Sequence, residues 1–135
     1  MEFLPIFINL RGARCLVVGG NEIAARKAAL LLQAGAQVTV AAPTLVPAFA
    51  ALTPQDRLQH HSGEFETTLL DGMTLVICAH EQAAICQSVS TAAIARHLPV
   101  NVVDTPALCS FILPSIIDRS PILVAVSSGG ASPVL

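Results

Sequence analysis

Apolar and polar positions along this chain fall into repeating blocks: short, nearly unbroken apolar runs, each followed by a stretch of helical period. The runs at 14–18 (Arg-Cys-Leu-Val-Val), 37–42, 73–79 and 99–103 have the length and composition of strands buried on both faces of a parallel sheet. Between the first two runs, residues 22–34 place Ala24, Ala28, Leu31 and Leu32 on one face and Arg26, Lys27 and Gln33 on the other, and Gly35 follows as a helix stop. A second helix is expected over 81–97, with Ile85, Val89, Ala92 and Ala93 facing the core and Arg96 and His97 in its last turn before Pro99. Strands alternating with helices in this way predict an α/β fold, a Rossmann-like parallel sheet with helices on both faces.

The remaining segments carry weaker patterns. Residues 3–10 contain Pro5 and suit an edge strand or an extended lead-in. A helical segment is expected over 45–52, a turn at 54–57, a short strand over 58–62 and a brief helix over 64–70. On a strand, the adjacent His60 and His61 point to opposite faces and cannot chelate together, so they read as solvated surface residues. From Phe111 to Ile117 and from Ile122 to Ser127 two apolar stretches flank the polar 118–121, which predicts an antiparallel β-hairpin closing the parallel sheet. The division expected is a dinucleotide-binding domain over 1–113 and a hairpin region over 114–135. Leu135 brings no polar terminal cap, so more chain is expected after it.

Composition narrows the picture. Hydrophobic residues make up 53% of the chain and charged residues 12%, with no Trp or Tyr, so small aliphatic side chains must build the core. A mean hydropathy of +0.69 points to apolar surface covered by a partner or by further chain. No apolar run reaches membrane-spanning length and no secretory signal opens the chain, which predicts a cytoplasmic protein that does not enter a membrane. Seven Lys and Arg against nine acids leave no basic footprint for nucleic acid. Cys15, Cys78, Cys86 and Cys109 lack C-x-x-C spacing and read as buried thiols, without disulfide or structural zinc. His80 and Cys109 stand near strand ends but have no ligand spacing, so no fixed metal site is assigned.

The candidate chemistry begins at Gly19. In the fingerprint G-x-G-x-x-G/A, Gly19 makes the tight turn, Asn21 takes the place of the second glycine and Ala24 allows close helix packing. Asn21 must either turn aside or hydrogen-bond a ligand itself. The acid that ordinarily follows the second strand to hold a ribose is absent, since Ala41 and Ala42 stand there. Backbone groups and the Thr44 hydroxyl are left for that contact, unless Thr44 only caps the 45–52 segment. The fifth strand delivers Asp104 to the same sheet edge, as a ligand group or as the Asx cap of the Thr105-Pro106 turn. The small-residue tail 127–133 could form an anion-binding nest of amides or a flexible connection.

Six blocks carry a resemblance: Leu-Pro-Ile-Phe at 4–7, Leu-Val-Val-Gly-Gly at 16–20, Ala24 with Arg26-Lys27, Asn-Val-Val-Asp at 101–104, the run 110–121, and Val-Ala-Val-Ser-Ser-Gly-Gly-Ala-Ser-Pro-Val-Leu at 124–135. Together they resemble the N-terminal module of siroheme synthase, the precorrin-2 dehydrogenase and sirohydrochlorin ferrochelatase. The resemblance implies NAD-dependent oxidation of precorrin-2 to sirohydrochlorin, then insertion of Fe2+ as a substrate to give siroheme, with a possible part in cobalamin biosynthesis. It assigns Asp104 as general base and transient iron ligand. It assigns NAD contacts to Glu22, Ile23, Pro43 and Thr44, mostly through backbone groups, and these join Gly19, Gly20 and Asn21 of the turn as the expected cofactor site. Ser128 matches a serine of the substrate crevice that can be phosphorylated; a phosphate there would repel tetrapyrrole carboxylates. Family proteins commonly carry Gly at the place of Asn21. They also continue into a segment that forms a homodimer, so 114–135 would begin a dimerisation region, and in some into a uroporphyrinogen methyltransferase domain. The competing expectation is a non-catalytic module that senses a dinucleotide or binds a tetrapyrrole.

Overall fold

The computed structural model of the chain describes residues 1–129. Strands β1 (Arg14–Val18), β2 (Gln37–Ala41), β3 (Leu58–His61), β4 (Leu75–Cys78) and β5 (Val100–Val102) form one parallel sheet in the order β3-β2-β1-β4-β5. This is the order of a doubly wound sheet, whose direction of growth reverses between β1 and β4. Helix α1 (Glu22–Gln33) covers one face and α2 (Ala83–Ala95) the other. Alternate strand residues serve the two layers. Cys15, Val17, Val38, Val40 and Ile77 pack with Ala24, Ala28, Leu31 and Leu32 of α1, whereas Leu16, Val18, Val76, Val100 and Val102 pack with Cys86, Val89 and Ala93 of α2. Both faces being covered, residues 15–18 of β1 and all of β4 have no place for a polar side chain, which is why they read as continuous apolar runs.

Helix α1 ends as expected. Gly35 takes a φ of +87°, its N–H bonds Leu32 O and the Ala36 N–H bonds Leu31 O, the paired closure of a Schellman motif. Helix α2 is closed in the same way by His97 at φ +55° and Leu98. Arg96 and His97 therefore lie beyond its last turn rather than in it. The buried face of α2 also differs from the expected one: it is Cys86, Val89, Ser90 and Ala93, with Ile85 and Ala92 only half-buried. A serine is admitted there because Ser90 Oγ donates to the Leu108 carbonyl at 2.7 Å.

Four shorter segments depart from the sequence pattern. The 45–52 segment is a 3-10 turn at Pro47–Ala51 whose N-cap is Val46, with no side-chain cap, so Thr44 does not cap it. The 64–70 helix shrinks to a 3-10 turn at Thr67–Leu70. Residues 3–10 form no strand. The hairpin exists, as β6 (Ser115–Arg119) and β7 (Ile122–Val126), but it pairs only with itself and does not close the parallel sheet. The outer edge of β5 is already taken: Ser110 N–H donates to Val100 O, Ser110 Oγ accepts from Val100 N–H, and Cys109 Sγ accepts from Val102 N–H. Among the described residues no helix is long and apolar enough to cross a membrane.

Candidate functional site

The sheet places the carboxyl ends of β1, β4 and β5 level, with Val18 beside Cys78 and Cys78 beside Val102. At the reversal between β1 and β4 a doubly wound sheet opens its ligand crevice. Gly19 turns there with a φ of +127°, and a Cβ on it would lie 3.0 Å from the Ala79 carbonyl oxygen. A Cβ on Gly20 would lie 2.0 Å from the Thr44 carbonyl oxygen, and Val46 N–H donates to Gly20 O at 2.9 Å. The glycine pair thus lets the loop after β2 close over the β1–α1 turn, which brings Pro43 and Thr44 against Gly20.

Asn21 turns aside from any ligand. Its Oδ1 accepts from Ala24 N–H at 2.8 Å as the N-cap of α1, while its Nδ2 donates to Ala79 O at 2.7 Å and to Glu81 Oε1 at 2.9 Å. One side chain therefore caps the helix and ties the β1–α1 turn to the loop after β4. The bond from the Asn21 amide first, and then Glu81's own backbone N–H, hold the Glu81 carboxyl below its usual range. The Glu22 and Ile23 N–H groups at the start of α1 have no partner among the described residues. These are the outermost donors of a twelve-residue helix, the arrangement that receives a phosphate. The exposed Thr44 hydroxyl supplies a polar group where β2 lacks an acid. The donors, the close loop and the glycine pair fit a dinucleotide held mainly through backbone groups.

Asp104 lies past β5 on the same edge. Thr105 N–H closes a turn onto Val102 O at 3.1 Å, and Asp104 occupies its third position with a φ of +59°. Glycine or asparagine is usual at such a position, so this carboxylate is held at a conformational cost. Asp104 is exposed and makes no hydrogen bond or ion pair among the described residues, and Thr105 begins the next 3-10 turn without a side-chain cap, so the Asx-cap reading fails. The turn is braced from behind. Cys109 Sγ bonds Val102 and Thr105, Asn101 Nδ2 donates to Phe111 O at 3.1 Å, and Ser90 anchors Leu108.

A groove of about 200 Å³ opens beside Asp104, walled by Val103, Pro106, Ile112 and Leu113 and by Lys27 from α1. The sequence pattern put Lys27 on the outer face of α1; the structure turns it half-buried into this wall. Only its i+4 relation to Ile23, at the flank of the apolar stripe, could have signalled this.

Ser128 follows β7, half-buried, and does not line the Asp104 groove. Ser127 Oγ accepts from Gly129 N–H at 3.0 Å, while residues 130–133 of the expected amide nest lie outside the described residues. His60 and His61 sit on β3, His60 with a ring nitrogen 2.7 Å from Ala42 O. His80 accepts the Gln82 N–H on Nδ1 and lies 3.4 Å from Glu64. Among the described residues no group of three or more His, Cys, Asp or Glu could hold a metal ion. All four cysteines are free; burial pushes the Cys15 thiol up to about 11 and Cys78 up to about 12, so both stay protonated.

Residues 6–115 match the model of a family described as "Putative NAD(P)-binding". The chain is 63% identical over 135 residues to a siroheme synthase of Thiobacillus denitrificans and 57% identical to one of Methylobacillus flagellatus. Each match covers the whole of this chain but 28% and 29% of those proteins, so the chain spans less than a third of their length. The solved structure of SirC, a precorrin-2 dehydrogenase, superposes with a TM-score of 0.82 at 26% identity, over 97% of this chain and 64% of that one.

Proposed function

The chain belongs to the NAD(P)-binding family whose model spans residues 6–115, and from that premise we propose that it oxidises precorrin-2 to sirohydrochlorin with NAD+ as the hydride acceptor. The observation that carries this reading is a carboxylate, Asp104, held at φ +59° and without a partner among the described residues, on the same sheet edge as the Glu22 and Ile23 N–H groups, which likewise have none there. Similarity to siroheme synthases and to a precorrin-2 dehydrogenase supports the choice of substrate.

Oxidation of a reduced tetrapyrrole removes a hydride and a proton. A bound NAD+ would supply the hydride acceptor. Asp104 takes the proton as general base, and its open position lets the macrocycle reach it. Glu22 and Ile23 would hold the pyrophosphate through their N–H groups with help from the helix dipole, Pro43 and Thr44 would meet the ribose, and Gly19 and Gly20 keep the loops close. Asn21 contributes by fixing the turn, not by touching the cofactor. The same carboxylate would take the pyrrole protons if Fe2+ enters as a second substrate. We also propose that 114–135 begins a region through which the protein pairs with a second copy; Ser128, outside the Asp104 groove, could meet the substrate only from such a partner surface.

Anaerobic NADH formation from precorrin-2 and NAD+ tests the reading. Production of NADH in wild type and its loss in Asp104→Asn, with NAD+ affinity kept, is the expected result. NAD+ binding without turnover in the full-length protein would make the chain a binding module instead.

A further inference from the structure

Lys27 and Asp104 line one groove with opposite charges, yet no ion pair joins them. The ion pairs among the described residues are His80 with Glu64 and Arg96 with Asp71, and Lys27 makes no other polar contact there. This half-buried lysine shares the groove wall with the apolar side chains Val103, Ile112 and Leu113. A cationic side chain beside apolar walls and without a counter-charge attracts an anion more strongly than one in open water. The groove, at about 200 Å³, is smaller than the roughly 300–1,000 Å³ of a site that encloses a whole small molecule, and suits one side arm of a larger ligand.

We propose that Lys27 receives a carboxylate arm of the substrate and so sets which edge of the macrocycle faces Asp104. This rests on the precorrin-2 reading, since that substrate carries acidic side arms around its ring. A phosphate of the dinucleotide is the other anion at this sheet edge. The groove favours the carboxylate, because apart from Lys27 its walls come from β5 and the loop after it and include none of Gly19, Gly20, Pro43 or Thr44. Lys27 is then a substrate-binding residue: it fixes the register in which a carbon or nitrogen proton meets the Asp104 carboxylate, and it takes no proton itself.

The test compares wild type with Lys27→Met, Lys27→Gln and Lys27→Arg in the full-length protein. KM for precorrin-2 should rise about tenfold in the two neutral variants, with NAD+ affinity within about twofold of wild type and most of the loss restored by Arg. A parallel fluorescence titration with uroporphyrin, a stable octacarboxylate, should show the same weakening and a shallower salt dependence. Unchanged KM and uroporphyrin affinity would overturn the proposal, as would weakened NAD+ binding with uroporphyrin affinity intact. If Lys27→Met does not fold, Lys27→Gln carries the test. If wild type makes no NADH, the precorrin-2 reading fails on its own, and the uroporphyrin titration still decides whether Lys27 binds a carboxylate arm.

Discussion

The two ends of the ligand edge treat their polar groups in opposite ways. Beside β1, Asn21 uses both ends of its amide on protein atoms, and Gly20 is packed so closely on Thr44 that no side chain fits. Beside β5, Asp104 and Lys27 stand without partners among the described residues, and the backbone at Asp104 is held in a conformation that favours glycine. The first end is a rigid frame that offers N–H groups; the second keeps charged side chains open. Cofactor binding by backbone requires precise loops and tolerates side-chain change, whereas substrate chemistry depends on one or two particular side chains.

The largest expected effect lies at the open end. Asp104→Asn should lower turnover by roughly 10²–10⁴ while leaving NAD+ affinity in place, because it removes a base and little packing. Asp104→Gly sharpens the point: it should be equally inactive, yet hold or gain up to about 1 kcal/mol in denaturant unfolding by relieving the positive φ. A loss of stability in Asp104→Gly would mean that the carboxylate is structural. At the framed end, Gly20→Ala should cost about 1–3 kcal/mol and weaken NAD+ binding, since its Cβ would collide with the Thr44 carbonyl. Calorimetry of NAD+ binding checks this; unchanged affinity would place the cofactor away from that loop.

The frame was easier to read from sequence than the open end. Runs such as 15–18 and 75–78 are buried on both faces, so local composition reveals them without any knowledge of their neighbours. Gly35 and the α1 face were legible for the same reason. Three features depended on contacts distant in sequence. Ser90 enters the core because of Leu108, Asn21 is committed to Ala79 and Glu81, and the hairpin stays apart because the loop 109–111 takes the edge of β5. The isolated hairpin leaves Ile116, Ile117, Ile122 and Leu123 between 45% and 62% exposed, part of the apolar surface to which the mean hydropathy points. Asp104 could be placed on the ligand edge from its position after a strand, but its left-handed backbone and the approach of Lys27 appear only once the turn and α1 are packed together.

The smallest effects concern the bond network at Asn21. Asn21→Ala removes an N-cap and the bridge to the β4 loop, and should cost about 1 kcal/mol; Asn21→Gly should cost only a few tenths through the cap itself. NAD+ affinity should change less in either variant than in Gly20→Ala, because the amide faces protein rather than ligand. The bridge also has a pH signature. Glu81 has its carboxyl lowered below the ordinary 4.5, first by the Asn21 amide, so the stability it adds is complete above the ordinary carboxylate range and disappears as pH falls through the lowered value. Because Glu81 is almost fully exposed, solvent screens most of that contribution. The Tm difference between wild type and Asn21→Ala should therefore narrow slightly on acidification and then level off, the remainder being the cap, which does not titrate. A difference that stays constant with pH would show that Asn21 acts through the cap and Ala79 alone; one that closes completely would put the whole effect on Glu81.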